Sequence, residues 1–435
     1  MSCGEPACPQ CAVRTPVGLK CRACARPVER TTSATAHRRP FLLIGAGVVL
    51  AALTAVIAFT RPHSSRGPTV VAPRGSWSPI AAMPTSRGTA TAVVLRSGQV
   101  LVAGGGVGAI PLAGAELFDP DSRQWRSTGS MVEARRGHRA VVLADGHVLV
   151  VGGIAQGRLL ASAEIFDSAI GSWKPVAAMA IPRLGFSLSL MGDGRVLAAG
   201  GITSTAADGS ADAIRPLSSA EIYDPAAARW MAAPSMEVGR FDHTATVLDD
   251  GRVLIAGGLG PGPSAGDATA ALGSSELYDP ASNTFQPSGD LGQGRANHAA
   301  VLLDDGTVLA AGGITGETPG MSVRSAERYD PRDGAWAATG SMTQARSGET
   351  LTRLRDGRVL VAAGDIVVGP SRHSLVSAEL YDPQRGSWWS AGAMSCPRSQ
   401  PAAVALADDA LVLGGDAAFA DRPAISQACV EQYRP

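Results

Sequence analysis

The sequence predicts an all-β protein over most of its length, and three observations lead to that prediction. An Arg, an apolar run with an Asp-Gly or similar turn, a Val-Leu strand and Gly-Gly, then Glu-x-Tyr/Phe-Asp-Pro, recur in that order seven times. The repeats are spaced by about 50 residues, a period typical of repeat architectures. Within each repeat, short apolar runs alternate with turn residues, which is the pattern of β-hairpins.

Each repeat is predicted to hold four antiparallel strands. In the fourth repeat, residues 243–258 give two strands around an Asp-Asp-Gly-Arg turn, and residues 274–289 give two more. One such sheet cannot bury both of its faces, so the repeats must stack, and radial stacking closes them into a β-propeller. The glycine pairs that mark the period are Gly104/Gly105, Gly152/Gly153, Gly200/Gly201, Gly257/Gly258, Gly312/Gly313, Gly364 followed by Asp365, and Gly414/Gly415.

The two ends of the repeat region complete one another. Residues 75–84 resemble a fourth strand with no repeat before it, whereas the last repeat reaches Pro435 without a fourth strand. Pairing the strand around Trp77 with the C-terminal three strands gives a seven-bladed ring over residues 75–435. Such closure removes the exposed sheet edges of an open array.

These repeats resemble kelch repeats, whose hallmarks are Gly-Gly after strand two, a Glu followed by an aromatic residue, and a Trp in strand four. The resemblance implies a kelch β-propeller, similar to the central domain of galactose oxidase and to bacterial kelch-repeat proteins. Some proteins of this fold, such as galactose oxidase, have a copper-radical site built from Tyr, His and Cys, so the sequence was compared with that site. All five tyrosines occupy one repeat position and are predicted to pack inside blades, so no enzyme is expected: Tyr223, Tyr278, Tyr329, Tyr381 and Tyr433.

The first 30 residues contain two CxxC motifs, one formed by Cys8 and Cys11 and the other by Cys21 and Cys24. Four thiolates at this spacing can surround one tetrahedral Zn²⁺ with no open position, so residues 1–30 are predicted to form a structural zinc ribbon. Metal would supply the folding energy that so small a module lacks. The alternatives are a disordered tail with incidental cysteines and, less in keeping with the surrounding sequence, a redox CxxC.

Residues 41–59 are uncharged and almost wholly apolar, long enough for a transmembrane helix. A basic segment, 31–40, precedes them, and a Pro-, Gly- and Ser-rich linker, 60–74, follows. The excess of Arg and Lys before the helix predicts a cytoplasmic N-terminus and an extracytoplasmic propeller, in a single-pass protein of a bacterial envelope. A cleaved signal peptide is the alternative.

Two charges recur in every repeat, and we expect the Arg to bind loop carbonyls or the Glu as scaffolding. The alternative is a ring of arginines that binds an anion at the channel. The positions are Arg87, Arg135, Arg183, Arg240, Arg295, Arg346 and Arg398 before strand one, and Glu116, Glu164, Glu221, Glu276, Glu327, Glu379 and Glu431 in strand three.

Two smaller sets of residues are also candidate sites. His243, His298 and Glu349 lie three residues after the Arg of consecutive repeats, where they either converge as metal ligands near the channel or serve as hydrogen-bonded structural groups. Cys396 and Cys429 are both predicted to lie in the closing blade, before strand one and at the start of strand three. Outside the cytoplasm they are expected to form a disulfide, the alternative being two buried thiols.

The connections between strands two and three vary most in length, through residues 202–219 and 259–274. All of them lie on one face of the disc, and repeat proteins place such insertions on their binding face. The 38 basic and 38 acidic residues balance, so nucleic acid is not an expected partner. The sequence thus predicts a membrane-anchored protein that binds a protein or glycan, or alternatively an envelope carbohydrate-active enzyme.

Overall fold

The computed structural model describes residues 12–15, 18–21, 75–206, 209, 214–262, 269–316, 320–419 and 422–435. The chain divides into two compact units, Met1–Thr69 and Val70–Pro435. In the first unit, Ala12–Thr15 pairs antiparallel with Gly18–Cys21.

Several predictions fall on residues outside these ranges. Three of the four predicted zinc ligands, Cys8, Cys11 and Cys24, lie there, as do the basic segment 31–40, the apolar segment 41–59 and the linker 60–74. Within the described ranges, no helix is long and apolar enough to cross a membrane.

Repeats 1 to 5 each form a separate four-stranded antiparallel sheet, in the order of the chain. The middle strands are buried because each sheet is covered on both faces by its neighbours. The strands are Thr91–Val94, Val100–Ala103, Ala115–Asp119 and Gln124–Ser127; Arg139–Val142, Val148–Val151, Ala163–Asp167 and Ser172–Val176; Ser187–Leu190, Val196–Ala199, Ala220–Asp224 and Arg229–Ala233; Thr244–Val247, Val253–Ala256, Ser275–Asp279 and Thr284–Ser288; Ala299–Leu302, Val308–Ala311, Ala326–Asp330 and Ala335–Ala338.

Repeat 7 forms a sixth four-stranded sheet, which the N-terminal strand completes. Ala402–Ala405 and Ala410–Leu413 pair with each other, and Val430–Arg434 lies between Ala410–Leu413 and Ser76–Pro79. Trp77 lies opposite Tyr433, with their ring centroids 5.2 Å apart. The predicted closure by the N-terminal strand is confirmed.

Repeat 6 differs from the prediction of seven separate four-stranded blades, because the described residues form six such blades. Its strands Thr350–Arg353, Val359–Ala362, Ser371–Asp382 and Ser387–Arg398 belong to a seven-stranded sheet. The reason is the length of Ser371–Asp382, which pairs along its first part with Asp365–Val368 and along its second part with Val359–Ala362. The hairpin that Asp365–Val368 forms with the start of Ser371–Asp382 is therefore continuous with repeat 6. Ile314–Thr315 and Met321–Ser322 join the same sheet because Met321 pairs with Val368.

The first strands line the inside of the propeller. Those of consecutive repeats contact one another in chain order, and the first strand of repeat 7 contacts that of repeat 1. Behind them, apolar side chains of adjacent repeats form shared clusters, such as Val100 and Val102 with Leu411 and Leu413. The hydrophobic core thus lies between sheets rather than within any one repeat.

A short hairpin connects strands two and three of every repeat. These hairpins are Gly106–Val107 with Ile110–Pro111, Ile154–Ala155 with Arg158–Leu159, Ile202–Ser204 with Ile214–Pro216, Leu259–Gly260 with Ala270–Ala271, Ile314–Thr315 with Met321–Ser322, Asp365–Val368 with the start of Ser371–Asp382, and Asp416–Phe419 with Arg422–Ser426. Because they follow strand two, they share one face of the disc with the residues that lead into strand one.

Candidate ligand-binding face

The repeated arginines are internal braces. Arg240 is fully buried, and its Nη1 donates to the carbonyl oxygens of Gly257 at 2.8 Å and Ser274 at 2.9 Å. Its Nη2 donates to Glu276 at 2.9 Å. The other repeats show the same Arg–Glu pair. The scaffolding prediction is confirmed and the anion-ring alternative is wrong, because at most 2 % of any of these arginines is exposed.

Each Glu also fastens the loop that enters its own repeat. Glu164 accepts hydrogen bonds from the backbone N–H groups of Val132 and Glu133, at 2.7 and 3.1 Å. Repeat 1 is the exception, since Oε2 of Glu116 has no partner. The position equivalent to Val132 is Pro84, which has no N–H to donate.

A ring of left-handed backbone surrounds the mouth of the channel, two residues after each Arg. Its φ values lie between 47° and 66°. Backbone hydrogen bonds link neighbours in the ring, for example from Asn297 N–H to the Asp242 carbonyl at 2.8 Å. Sequence reasoning missed this ring, although Gly, Asn and Asp, which tolerate this conformation, occupy five of its positions. The members are Thr89, Gly137, Gly185, Asp242, Asn297, Gly348 and Gln400.

A cavity of about 440 Å³ opens inside this ring. The titratable residues that contribute to its lining are Arg136, His138, Arg139, Asp242 and Glu349. Burial raises the pKa of Asp242, while the nearby charge of Arg139 lowers it. The mouth therefore has a polar wall of charges and amides, at the centre of the face that carries the hairpins.

Three histidines join neighbouring repeats beside this cavity. Nε2 of His138, His243 and His298 is hydrogen-bonded to a hydroxyl of the preceding repeat, on Thr91, Ser187 and Thr244 respectively, at 2.9 to 3.1 Å. Burial lowers the pKa of His138 and His298 to about 3, and that of His243 well below its usual value. All three are neutral connectors at physiological pH.

Glu349 occupies the equivalent position in repeat 6 but has no such partner. The preceding repeat offers Ala299 where the histidines find a hydroxyl, and neither carboxyl oxygen of Glu349 is hydrogen-bonded. Only 7 % of the residue is exposed. Burial raises its pKa to about 8, although the nearby N–H groups of Glu349 and Ala299 and the charge of Arg346 lower it.

The structure does not gather His243, His298 and Glu349 around one point. Within the described ranges, no three or more His, Cys, Asp or Glu side chains are placed to share a metal ion. The two histidines instead use their Nε2 atoms on hydroxyl groups of neighbouring repeats. Their equivalent places in the repeat therefore do not make them ligands of a common metal.

The predicted zinc ribbon is described only in part. Cys8, Cys11 and Cys24 lie outside the residues that the structure describes. Of Cys21 only the backbone is described, and it pairs with Ala12 in a two-stranded sheet. A structural zinc site formed by these four cysteines therefore stays a prediction.

A disulfide joins Cys396 and Cys429, with their Cα atoms 6.5 Å apart. Cys396 lies in the last strand of repeat 6, Ser387–Arg398, and Cys429 directly precedes Val430–Arg434 of the closing blade. The carbonyl oxygen of Cys429 also accepts a hydrogen bond from Nη1 of Arg398 at 2.9 Å. The disulfide and Arg398, which is the brace of repeat 7, thus both hold Cys429 at the start of Val430–Arg434.

The hairpins form a connected crown around the channel mouth. The residue after each Arg is bridged to the first residue of a hairpin, as Arg136 is to Ile154. Neighbouring hairpins also bond to one another, for example through Ala271 N–H to the Gly316 carbonyl at 3.0 Å. Six of the eight large apolar side chains that stand exposed among the described residues belong to this crown: Val107, Ile110, Ile214, Met321, Val368 and Ile425.

Comparison with known families agrees with this architecture. The Kelch motif matches residues 135–180, 187–237 and 295–343. Kelch-like protein 34 of Homo sapiens is 29% identical over 196 residues, which cover 44% of this chain and 28% of that protein. The F-box/kelch-repeat protein At4g39580 of Arabidopsis thaliana is 30% identical over 125 residues, covering 29% of each. The chain matches less than a third of the length of either relative.

Solved structures show the same fold. A fungal alcohol oxidase of the AA5 family, in complex with copper, superposes with a TM-score of 0.65 at 20% identity, covering 83% of this chain and 76% of that one. YjhT superposes with a TM-score of 0.54 at 13% identity, covering 72% and 99%. At these identities the likeness concerns the fold alone. The chain contains kelch repeats, and they are folded as a β-propeller.

Proposed function

We propose that this propeller is a non-enzymatic binding module that docks a protein partner on the hairpin crown. The observation that carries the proposal is the concentration of exposed apolar side chains on one face, since scattered single residues would need no explanation but a shared face marks an interaction site. Kelch-like relatives support a binding role over a catalytic one.

The crown also has the architecture of a docking surface. Hydrogen bonds between hairpins hold the apolar side chains at fixed separations, which reduces the entropy lost on binding. Ile110 is 68% exposed and Met321 is 55% exposed, so both can be buried by a partner. A partner with a complementary apolar patch and a polar rim fits this surface.

Crosslinking from the crown tests the proposal. A photoreactive residue at Ile110 in the full chain is expected to capture one protein, whose purified form then binds wild type and loses affinity for Ile110→Asp and Met321→Asp. Ile170→Asp is the matched control, because Ile170 is 74% exposed on the turn between strands three and four, at the opposite end of its sheet. Equal losses for all three variants contradict the proposal.

We further propose that repeat 6 serves as the seventh blade, that residues 41–59 anchor the chain in a membrane, and that residues 1–30 hold structural zinc. Contacts between successive first strands support the first point, and the apolar segment and the paired CxxC motifs support the others. Labelling single cysteines placed in the propeller of intact cells tests the topology. One zinc per full chain, lost in Cys8→Ser, tests the metal.

A further inference from the structure

A serine fastens some hairpins of the crown to the next hairpin around the ring. With each hairpin numbered by its repeat, the serines lie in hairpins 5, 6 and 7, and hairpin 7 precedes hairpin 1 because the ring is closed. Each serine hydroxyl accepts a hydrogen bond from a backbone N–H of the following hairpin, at 2.8 to 3.0 Å. The three pairs are Val367 N–H to Ser322, Ala418 N–H to Ser374, and Gly108 N–H to Ser426.

The other four hairpins lack a hydroxyl at this position. Each serine pairs with the first residue of its own hairpin, so the equivalent residues of hairpins 1 to 4 follow from the strand register. These residues are Pro111, Leu159, Pro216 and Ala271. The crown therefore has one part that serines fasten, from hairpin 5 through hairpin 7 to hairpin 1, and one part without them.

A groove of about 730 Å³ opens in the part without serines, between hairpins 1 and 2. Pro111 lines it, as do Leu159 and Leu160, which are 7% and 8% exposed. Val132, in the loop that enters repeat 2, also lines it and is 71% exposed. The groove therefore offers apolar surface that a bound chain can cover.

A backbone donor faces this groove without a partner. The N–H of Gln156 is equivalent to that of Gly108, since each lies two residues after the start of its hairpin. The Gly108 N–H donates to Ser426 of the preceding hairpin, whereas Gln156 follows Pro111, which has neither a hydroxyl nor an N–H. The hydrogen bonds of the described residues include none from the Gln156 N–H. A carbonyl oxygen of a bound chain can accept this hydrogen bond.

The charge that the groove leaves open is positive. Arg158 lines it, is exposed, and pairs with no carboxylate among the described residues. Glu133 is the acidic residue of the lining, but it already accepts a hydrogen bond from the Ser162 hydroxyl and lies 3.6 Å from the Arg135 guanidinium. A carboxylate on the bound chain is therefore the group that complements the groove.

We propose that this groove binds an extended segment of the partner protein, in which a large apolar side chain lies next to an acidic one. The apolar side chain packs between Pro111 and Val132, and a backbone carbonyl beside it accepts from the Gln156 N–H. The acidic side chain pairs with Arg158. Main-chain hydrogen bonds combined with side-chain pockets are a common way to bind extended peptides. The assignment rests on the proposed docking at the crown and identifies the part of the crown that reads the partner's sequence.

Fluorescent seven-residue peptides test the assignment in the full chain by fluorescence polarisation. Their central residue is Leu, Ile, Phe or Met, followed by either Asp or Lys. Wild type is expected to bind at least one Asp peptide and to bind its Lys counterpart more weakly. Arg158→Glu should weaken the Asp peptide roughly tenfold or more. Arg215→Glu is the matched control, because Arg215 is the equivalent exposed residue of hairpin 3 and does not line the groove.

Pro111→Ser tests the backbone donor. It supplies the hydroxyl that hairpin 1 lacks, which should occupy the Gln156 N–H and weaken peptide binding roughly three- to tenfold. Pro216→Ser is the control, because the equivalent donor position in the next hairpin is Pro261, which has no N–H. If Pro111→Ser does not fold, the comparison of Arg158→Glu with Arg215→Glu decides the question.

The assignment is overturned if wild type binds no Asp peptide, if the two Arg variants change binding equally, or if a folded Pro111→Ser variant binds as wild type does. It is also overturned if wild type forms a dimer that Arg158→Glu dissociates, because the occupant is then a second copy of the chain. A captured partner that loses affinity for Ile110→Asp but not for Arg158→Glu overturns the groove and leaves docking on the crown intact. Equal binding of that partner to wild type and Ile110→Asp contradicts crown docking itself.

Discussion

The junction between repeats 4 and 5 and the junction between repeats 5 and 6 use the same backbone position in opposite ways. At the first, His298 is hydrogen-bonded to Thr244 at 3.1 Å. At the second, Glu349 faces Ala299 and has no partner. Both side chains are buried, and both pack against a glycine of the preceding repeat, Gly257 or Gly312.

The difference shows that burial shifts the pKa values of these two side chains in opposite directions. Burial disfavours a charged side chain, so it lowers the pKa of a base and raises that of an acid. The pKa of His298 falls to about 3 and that of Glu349 rises to about 8. The two junctions should therefore respond to pH in opposite directions, although the propeller builds them on the same scaffold.

Removing Arg295, the brace that lies close to both junctions, should give the largest loss of unfolding free energy. Arg295→Met leaves Glu327 buried without its guanidinium, which should cost about 3–5 kcal/mol of unfolding free energy. Arg295 also lies close enough to lower the pKa of His298 and of Glu349, so both pKa values should rise. Chemical denaturation measures the stability and NMR titration the two pKa values.

Arg252→Met is the control for that loss. Arg252 pairs with Asp250 at the surface, where about 47% of the Asp side chain is exposed, and such pairs contribute less than about 1 kcal/mol. Equal losses in the two variants would mean that the buried Arg is not a brace.

Glu349→Gln should remove the alkaline response of the second junction. The folded carboxyl has the higher pKa, so its contribution to stability is full below pH 4.5 and is lost as pH rises through about 8. The wild type should lose roughly 4 kcal/mol of unfolding free energy over this range from Glu349 alone. Denaturation at pH 5 and 9 checks it, and an identical pH slope in the variant contradicts it.

His298→Phe should reduce the acid response of the first junction, and Phe186 shows that the position accepts this side chain. The folded His has the lower pKa, so its contribution is present above about pH 6.5 and is lost as pH falls toward 3. Between pH 6.5 and 4.5, the unfolding free energy of the variant should fall by roughly 2 kcal/mol less than that of the wild type. Acid unfolding followed by circular dichroism measures this difference, and His243 and His138 keep the rest of the response.

Ala299→Thr should make the second junction resemble the first. The new hydroxyl can hydrogen-bond the Glu349 carboxyl and add about 1 kcal/mol of stability. Ala402→Thr places the same hydroxyl opposite Ala90, where it has no polar partner, and serves as the control. If both variants change stability equally, the hydroxyl acts through packing rather than through Glu349.

Much of the fold could be predicted from local pattern because each repeat carries its own strands, turns and Gly-Gly. The position of the N-terminal strand followed from what the last repeat lacked, and the pairing of Trp77 with Tyr433 confirms it. The exception is repeat 6, where the register of Ser371–Asp382 joins the hairpin to the repeat. Nothing in its composition distinguishes a continuous strand from two short ones.

The sequence by itself determined the repeats, the Arg and Glu braces and the face on which the variable connections lie, since all of these follow from residue type and spacing along the chain. Only the tertiary structure decided what each residue meets across a junction. Glu349 looked like a partner for His243 and His298, but a side chain's hydrogen bonds depend on the preceding repeat, about 50 residues away in sequence. The unpartnered carboxyl and the left-handed ring at the channel mouth both arise from that packing.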